Sequence, residues 1–93
     1  MNILLIEDEG KIADFVLSGL SSAGMQAEHL VDGSAGLQRA LSTHFDTIVL
    51  DVMLPGLDGI SVLKRLRASG LVTPIILLTA KTDLQDRLQG FEA

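Results

Sequence analysis

Polar side chains that could do chemistry directly follow three apolar runs of this chain. They are Glu7 and Asp8 after residues 3–6, Asp51 after residues 48–50, and Thr79 after residues 75–78. Three carboxylates gathered in one place suit a hard divalent cation such as Mg²⁺, which takes oxygen ligands and keeps several waters. A carboxylate beside such a cation can also attack phosphorus and form an acyl phosphate, while a hydroxyl neutralises the transferring oxygens.

These side chains can meet only if the runs are neighbouring strands of one sheet. Unbroken Ile, Val and Leu runs are typical of parallel strands that are buried on both faces. In open α/β sheets the ligand site lies beyond the carboxyl ends of the strands, and neighbouring strands are ~4.8 Å apart. We therefore expect Glu7, Asp8 and Asp51 to lie close together at one edge of the sheet.

Strand and helix patterns alternate along the chain. The predicted strands cover about residues 2–7, 25–30, 48–50 and 74–78. The first predicted helix covers residues 11–23 and ends at Gly24, the second opens at Asp32, the third is capped by Asp58, and a fourth begins at residues 82–85. This alternation predicts right-handed βαβ units around a parallel sheet.

Aromatic residues are scarce, at 3% of a chain that is 47% hydrophobic. We therefore expect an aliphatic core with Phe15, Phe45 and Phe91 as its only large rings. Apolar residues at helical spacing mark the inward faces of the first two helices: Ile12, Phe15, Val16 and Leu20, then Leu37, Ala40 and Leu41.

Bulk properties narrow the function classes. A chain of 93 residues makes one domain, and a net charge of −5 argues against direct contact with nucleic acid. No apolar stretch reaches the ~18–20 residues that cross a bilayer. The absence of cysteine is compatible with a reducing cytoplasm. We expect a soluble cytoplasmic domain that contacts no membrane.

Two further groups of residues are interpreted as solvent-facing. Lys64, Arg65 and Arg67 fall on a helix whose apolar positions point elsewhere. His29 lies on the weak second strand and His44 precedes the third, and neither has a partner at metal-binding spacing. We therefore predict no site at either group.

Taken together, the motifs resemble the receiver domain of two-component response regulators. The resemblance rests on Ile-Leu-Leu-Ile-Glu-Asp-Glu at residues 3–9, Asp32-Gly33, Ile-Val-Leu-Asp-Val-Met-Leu-Pro-Gly-Leu-Asp-Gly at residues 48–59, and Ile-Leu-Leu-Thr-Ala at residues 76–80. It implies a flavodoxin-like, doubly wound parallel sheet with strand order 2-1-3-4. The family's fifth strand, with an essential lysine, and its fifth helix would lie beyond Ala93. We therefore expect residues 1–93 to be a receiver domain that lacks these two elements.

The resemblance also implies a role for each site residue. Asp51 would accept a phosphoryl group from a sensor histidine kinase, and Thr79 would be the switch hydroxyl that moves toward it. Mg²⁺ would be held by Asp8, Asp51 and the backbone carbonyl of Met53, with Glu7 acting through a metal-bound water.

The function implied is a phosphorylation-dependent signalling switch, a phosphoacceptor that assists its own phosphotransfer and is not otherwise an enzyme. The motifs look most like those of regulators that carry a winged-helix DNA-binding domain after the receiver and control transcription. Such receivers tend to pair when active, so a homodimer is a further expected assembly.

Two alternatives stay open from the residues alone. An aspartate-nucleophile phosphatase of the haloacid dehalogenase type would carry a second Asp two residues after the nucleophile, where this chain has Met53. A receiver-like interaction module that is never phosphorylated would usually have lost an acidic residue or the acceptor, whereas Glu7, Asp8, Asp51 and Thr79 are all present.

Overall fold

The fold is a parallel sheet built from alternating strands and helices. A computed structural model describes residues 1–78. Its elements are β1 (Asn2–Ile6), α1 (Gly10–Ser22), β2 (Gln26–Leu30), α2 (Gly33–Ser42), β3 (Thr47–Asp51), α3 (Gly59–Ala68) and β4 (Ile75–Leu78). The predicted α/β class and alternation are confirmed over this range. The predicted fourth helix, including Phe91, lies outside the described residues.

The order of strands in the sheet is β2-β1-β3-β4, and each neighbouring pair is parallel. The predicted order 2-1-3-4 is therefore confirmed. The chain moves outward from β1 to β2 and then crosses to β3 on the other side of β1. A change of direction of this kind opens a crevice at the carboxyl ends of β1 and β3, where open α/β sheets bind their ligands.

The core consists of two apolar layers, one on each face of the sheet. One layer joins Leu4, Ile6, Ile48 and Leu50 of the central strands to Phe45 and to buried residues of α2 and α3. The other layer joins Ile3, Leu5 and Val49 to Ala13 of α1, with Val16, Leu17 and Leu20 packed against them. Because side chains alternate along a strand, the central strands supply both layers and are apolar throughout.

Three residues that were predicted to face the core are exposed. Phe15 has 81% of its surface accessible, and Ile12 and Leu41 have 44% and 52%. A helix turns by about 100° per residue, so Phe15 lies about 200° around α1 from the buried Ala13. Leu41 likewise lies to one side of the buried face of α2. Apolar spacing indicated the helices correctly, and Val16, Leu20, Leu37 and Ala40 do pack against the core, but it placed Ile12, Phe15 and Leu41 on the inward faces wrongly. Phe45, only 5% exposed, is a core ring as predicted.

The surface features of α3 agree with the sequence interpretation. Lys64, Arg65 and Arg67 are all exposed. Arg67 donates hydrogen bonds of 2.9 Å to the carbonyl oxygens of Leu71 and Thr73, which ties the helix end to the segment before β4. Across residues 1–78, the helices are all too short or too polar to span a membrane.

Side chains define where the helices begin. The Asp32 carboxylate accepts a hydrogen bond of 2.7 Å from Ala35 N–H at the start of α2, and Asp58 accepts one of 3.0 Å from Ser61 N–H at the start of α3. Each satisfies a backbone donor that has no partner within the helix. Gly24, with φ of 78°, ends α1 in the left-handed region, as the sequence predicts.

Two glycines allow the backbone to pack closely around the loop of residues 52–58, which joins β3 to α3. A Cβ atom on Gly33 would overlap the carbonyl oxygen of Leu57, and one on Gly59 would overlap that of Asp51. Gly33 N–H also donates to Pro55 O at 3.4 Å, and Gly59 N–H donates to Val52 O at 2.9 Å. The loop is therefore held against the starts of both α2 and α3.

Replacing Gly59 by Ala should destabilise the fold, because the added methyl group overlaps fixed backbone atoms rather than a flexible side chain. We expect a loss of about 1–3 kcal/mol in the free energy of unfolding, the usual cost of overpacking. Urea denaturation followed by circular dichroism measures it.

Gly19→Ala is the matched control, since Gly19 lies inside α1 and a methyl group added there would meet no atom within 4 Å. This variant should gain about 0.5–1 kcal/mol from the higher helix propensity of Ala. Equal stabilities for Gly59→Ala and the parent would contradict the close packing.

Candidate metal centre

Three carboxylates converge at the carboxyl edge of the sheet. The register of β1 and β3 pairs Ile6 with Leu50. The residues that follow this pair are Glu7 after β1 and Asp51 at the end of β3. One carboxylate oxygen each from Glu7, Asp8 and Asp51 lies within 4.8 Å of the others. The expected gathering of these acids is therefore present, and among the described residues they form a group with the spacing of a metal site.

The three acids differ in burial. Glu7 is only 1% exposed and Asp51 is 8% exposed, whereas Asp8 is exposed to solvent. The buried pair provides fixed oxygen atoms, and the exposed acid keeps one side of the group open to water. Such a site has both protein ligands and room for water ligands.

Glu7 is the acid whose ionisation is most disturbed. Burial, together with the hydrogen bond to Asp51 and the charges of Asp51 and Asp8, raises the pKa of Glu7 to about 8, against a lowering by Glu9 N–H. At neutral pH the Glu7 carboxyl therefore keeps a proton, which it shares with Asp51. A proton in this position lowers the repulsion that three close carboxylates would otherwise feel.

Backbone hydrogen bonds hold the two buried acids in place. Glu7 N–H donates to Leu30 O at 3.0 Å on β2, and Glu7 O accepts from the ring of His29 at 2.7 Å. On β3, Met53 N–H donates to Asp51 Oδ1 at 3.2 Å, which orients that carboxylate. The acids are thus fixed by the sheet rather than carried on loose loops.

Met53 lies next to the acids, with 59% of its surface exposed. Its N–H bond to Asp51 places its backbone beside the carboxylate, and the loop of residues 52–58 is anchored as described above. Gly56 takes a φ of 73° within that loop, a conformation that a side chain disfavours.

Thr79, the predicted switch hydroxyl, lies outside the described residues. The strand before it is described to its end: Leu78 pairs with Asp51 in the register of β3 and β4, and Val52 N–H donates to Leu78 O at 3.1 Å. The end of β4 is therefore a direct neighbour of Asp51.

His29 is a residue that the sequence interpretation misjudged. It was expected to face solvent, but it is half-buried and its ring bonds to the backbone of Glu7. The contact joins residues 22 positions apart, so no local pattern signals it. His44, in contrast, is exposed as expected, with 83% of its side chain accessible.

The donor set fits a hard divalent cation. All three donors are carboxylate oxygens, and they are close enough together that one of them retains a proton at neutral pH. A cation of charge +2 would neutralise the group more completely than this proton does. Carboxylate oxygens with open water positions are the preferred surroundings of Mg²⁺.

The chain matches known proteins along nearly its whole length. The family model of the response regulator receiver domain matches residues 3–93. The transcriptional activator protein IrlR of Burkholderia pseudomallei is 47% identical over 92 residues, which make up 99% of this chain and 40% of that protein. The chain therefore spans about two fifths of the length of this curated relative.

Solved structures share the fold of this chain. The receiver domain of the Francisella response regulator 1452 superposes with a TM-score of 0.86 at 34% identity, covering 98% of this chain and 75% of that one. The receiver domain of the sensor histidine kinase PA1611 from Pseudomonas aeruginosa gives a TM-score of 0.84 at 35% identity. The match covers 92% of this chain and 72% of that one. The latter holds a magnesium ion coordinated in its active site cleft. The sheet order, the acidic edge and the family match lead to one conclusion: this chain belongs to the response regulator receiver domain family.

Proposed function

We propose that this chain is a phosphorylation-dependent signalling switch in which Asp51 accepts a phosphoryl group from a sensor histidine kinase. The observation that carries the proposal is the convergence of Glu7, Asp8 and Asp51 at the carboxyl edge of a receiver-type sheet. Asp51 is the acid at the end of a central strand, with its carboxylate oriented by Met53 N–H. Glu7, which holds a proton, is the poorer nucleophile of the buried pair.

The proposed transfer is a substitution at phosphorus. A carboxylate oxygen of Asp51 forms the new P–O bond while the P–N bond to the kinase histidine breaks. The imidazole leaves with the bonding electron pair and takes up a proton from water. The product is an acyl phosphate on Asp51, which adds negative charge beside Glu7 and Asp8.

Asp8, Asp51 and the Met53 carbonyl would hold Mg²⁺, with Glu7 acting through a bound water. The cation supplies positive charge that neutralises the phosphoryl oxygens during transfer. The acidic donor set and the magnesium ion in the related PA1611 receiver support this assignment. The chain's own contribution is to hold Glu7 and Asp51 in a rigid, nearly dry position at the sheet edge.

We also propose the wider setting of this switch. Thr79 would contact the phosphoryl group from the end of β4, the strand that pairs with the residues around Asp51. A winged-helix DNA-binding domain would follow the receiver and control transcription in the cytoplasm, with a homodimer as the active assembly. Relatives named as transcriptional regulators, of which this chain covers about two fifths, support such an output domain.

Asp51→Asn should abolish phosphoryl uptake, because the amide cannot act as the nucleophile. Intact mass after incubation with acetyl phosphate and Mg²⁺ should show one added phosphoryl group on the parent and none on Asp51→Asn. Asp14→Asn, which removes an exposed carboxylate from α1, is the matched control and should behave as the parent does. Uptake by a folded Asp51→Asn variant would rule out Asp51 as the acceptor.

The raised pKa of Glu7 predicts a stability that falls as pH rises. Below about pH 4.5 the Glu7 carboxyl is protonated in both the folded and the unfolded state. Between that pH and about 8, Glu7 loses its proton in the unfolded state but keeps it in the folded state. The free energy of unfolding should therefore decrease as the pH rises through this window.

Urea denaturation between pH 5 and pH 8, with a chelator present, measures this dependence. Glu7→Gln should remove it, because the amide does not titrate, whereas Asp14→Asn should leave it unchanged. Parallel pH profiles for the parent and Glu7→Gln would show that Glu7 does not hold the proton.

A further inference from the structure

The ring of His29 makes a hydrogen bond to the acidic edge of the sheet. The phosphoryl transfer proposed for Asp51 assigns no role to this bond. Its Nε2 lies 2.7 Å from the carbonyl oxygen of Glu7. His29 pairs with Leu5 in the sheet, so its half-buried ring reaches two residues further along β1, past the end of that strand. A backbone carbonyl can only accept, so Nε2 carries the hydrogen.

This contact completes the support of the Glu7 backbone. Glu7 N–H already donates to Leu30 O, so β2 holds Glu7 at both its N–H and its C=O group. The Glu7 carbonyl belongs to the same planar peptide unit as the Asp8 N–H. Fixing that carbonyl therefore fixes the direction in which the chain leaves the sheet toward Asp8.

Asp8 has the greatest need of such support. It is exposed, it follows the end of β1, and one of its carboxylate oxygens lies within 4.8 Å of an oxygen of each buried acid. The peptide between Glu7 and Asp8 is its covalent link to the ordered sheet.

We propose that His29 is a positioning residue for the metal centre, which acts by holding the Glu7–Asp8 peptide through its Nε2–H bond. The proposal rests on the proposed function, since it concerns the same carboxylates. The neutral Nε2–H tautomer and the imidazolium both donate this bond, so no change of protonation is involved. In this role His29 acts through the backbone carbonyl of Glu7.

The test compares a donor-free side chain with one that keeps a donor. His29→Leu and His29→Met remove the bond, whereas His29→Gln retains an N–H donor at similar reach. His44→Leu, at an exposed histidine before β3, is the matched control. Calorimetric titration with MgCl₂ gives the affinity of each protein, and the rate of acetyl phosphate uptake is measured at limiting and saturating Mg²⁺.

We expect His29→Leu and His29→Met to weaken Mg²⁺ binding by about three- to tenfold, the size expected from the net loss of one hydrogen bond. His29→Gln should stay within about twofold of the parent, because it rescues the donor. Uptake by the donor-free variants should recover at saturating Mg²⁺, since the nucleophile is intact.

Two results would overturn the role of His29 while leaving the proposed function in place. One is parent-like Mg²⁺ affinity in His29→Leu; the other is equal weakening in His29→Gln and His29→Leu, which would assign the effect to ring packing. A parent protein that binds no Mg²⁺ would remove the proposed function itself.

Nitrogen NMR of the His29 ring in the parent protein is a second test that needs no variant. The Nε2–H form supports the proposal, and an Nδ1–H form contradicts it.

Discussion

Repulsion among Glu7, Asp8 and Asp51 is the constraint on which the rest of this structure depends. Carboxylates within 4.8 Å of one another would separate if the chain allowed it. They stay together because β1 and β3 are adjacent central strands whose apolar side chains are buried on both faces. The hydrophobic free energy of the core thus opposes an unfavourable electrostatic arrangement at its edge. A proton on Glu7 relieves part of the repulsion.

This arrangement explains why the two layers of the core flank the site. Helix α1 covers one face of β1 and β3, and helices α2 and α3 cover the other. Burial of both faces forces both strands to be apolar up to their last residues, so polar groups collect only where the strands end. The site is therefore as rigid as the core beneath it, although Asp8 reaches solvent.

Much of this could be predicted from the sequence, because the determining signals are local. Apolar runs predicted the strands, and parallel geometry then brought Glu7 and Asp51 together. Phe15 and Leu41 were predicted to face the core but are exposed. Their helices carry apolar residues on more than one side, and apolar spacing alone does not show which of these sides meets the sheet. The His29 contact could not be predicted, since it depends on the register between β2 and β1 and on a ring that extends past the end of a strand.

The close approach of Gly33 to the carbonyl of Leu57 makes the surroundings of Asp51 mechanically asymmetric. On the side of α2, the backbone of Gly33 lies directly against the carbonyl of Leu57, so no side chain fits between the two segments at this point. On the opposite side, Asp51 adjoins β4 through ordinary ladder hydrogen bonds, which can lengthen or rotate. A larger residue at position 33 would therefore have to push the loop away from α2, whereas the contact with β4 depends on ladder hydrogen bonds alone.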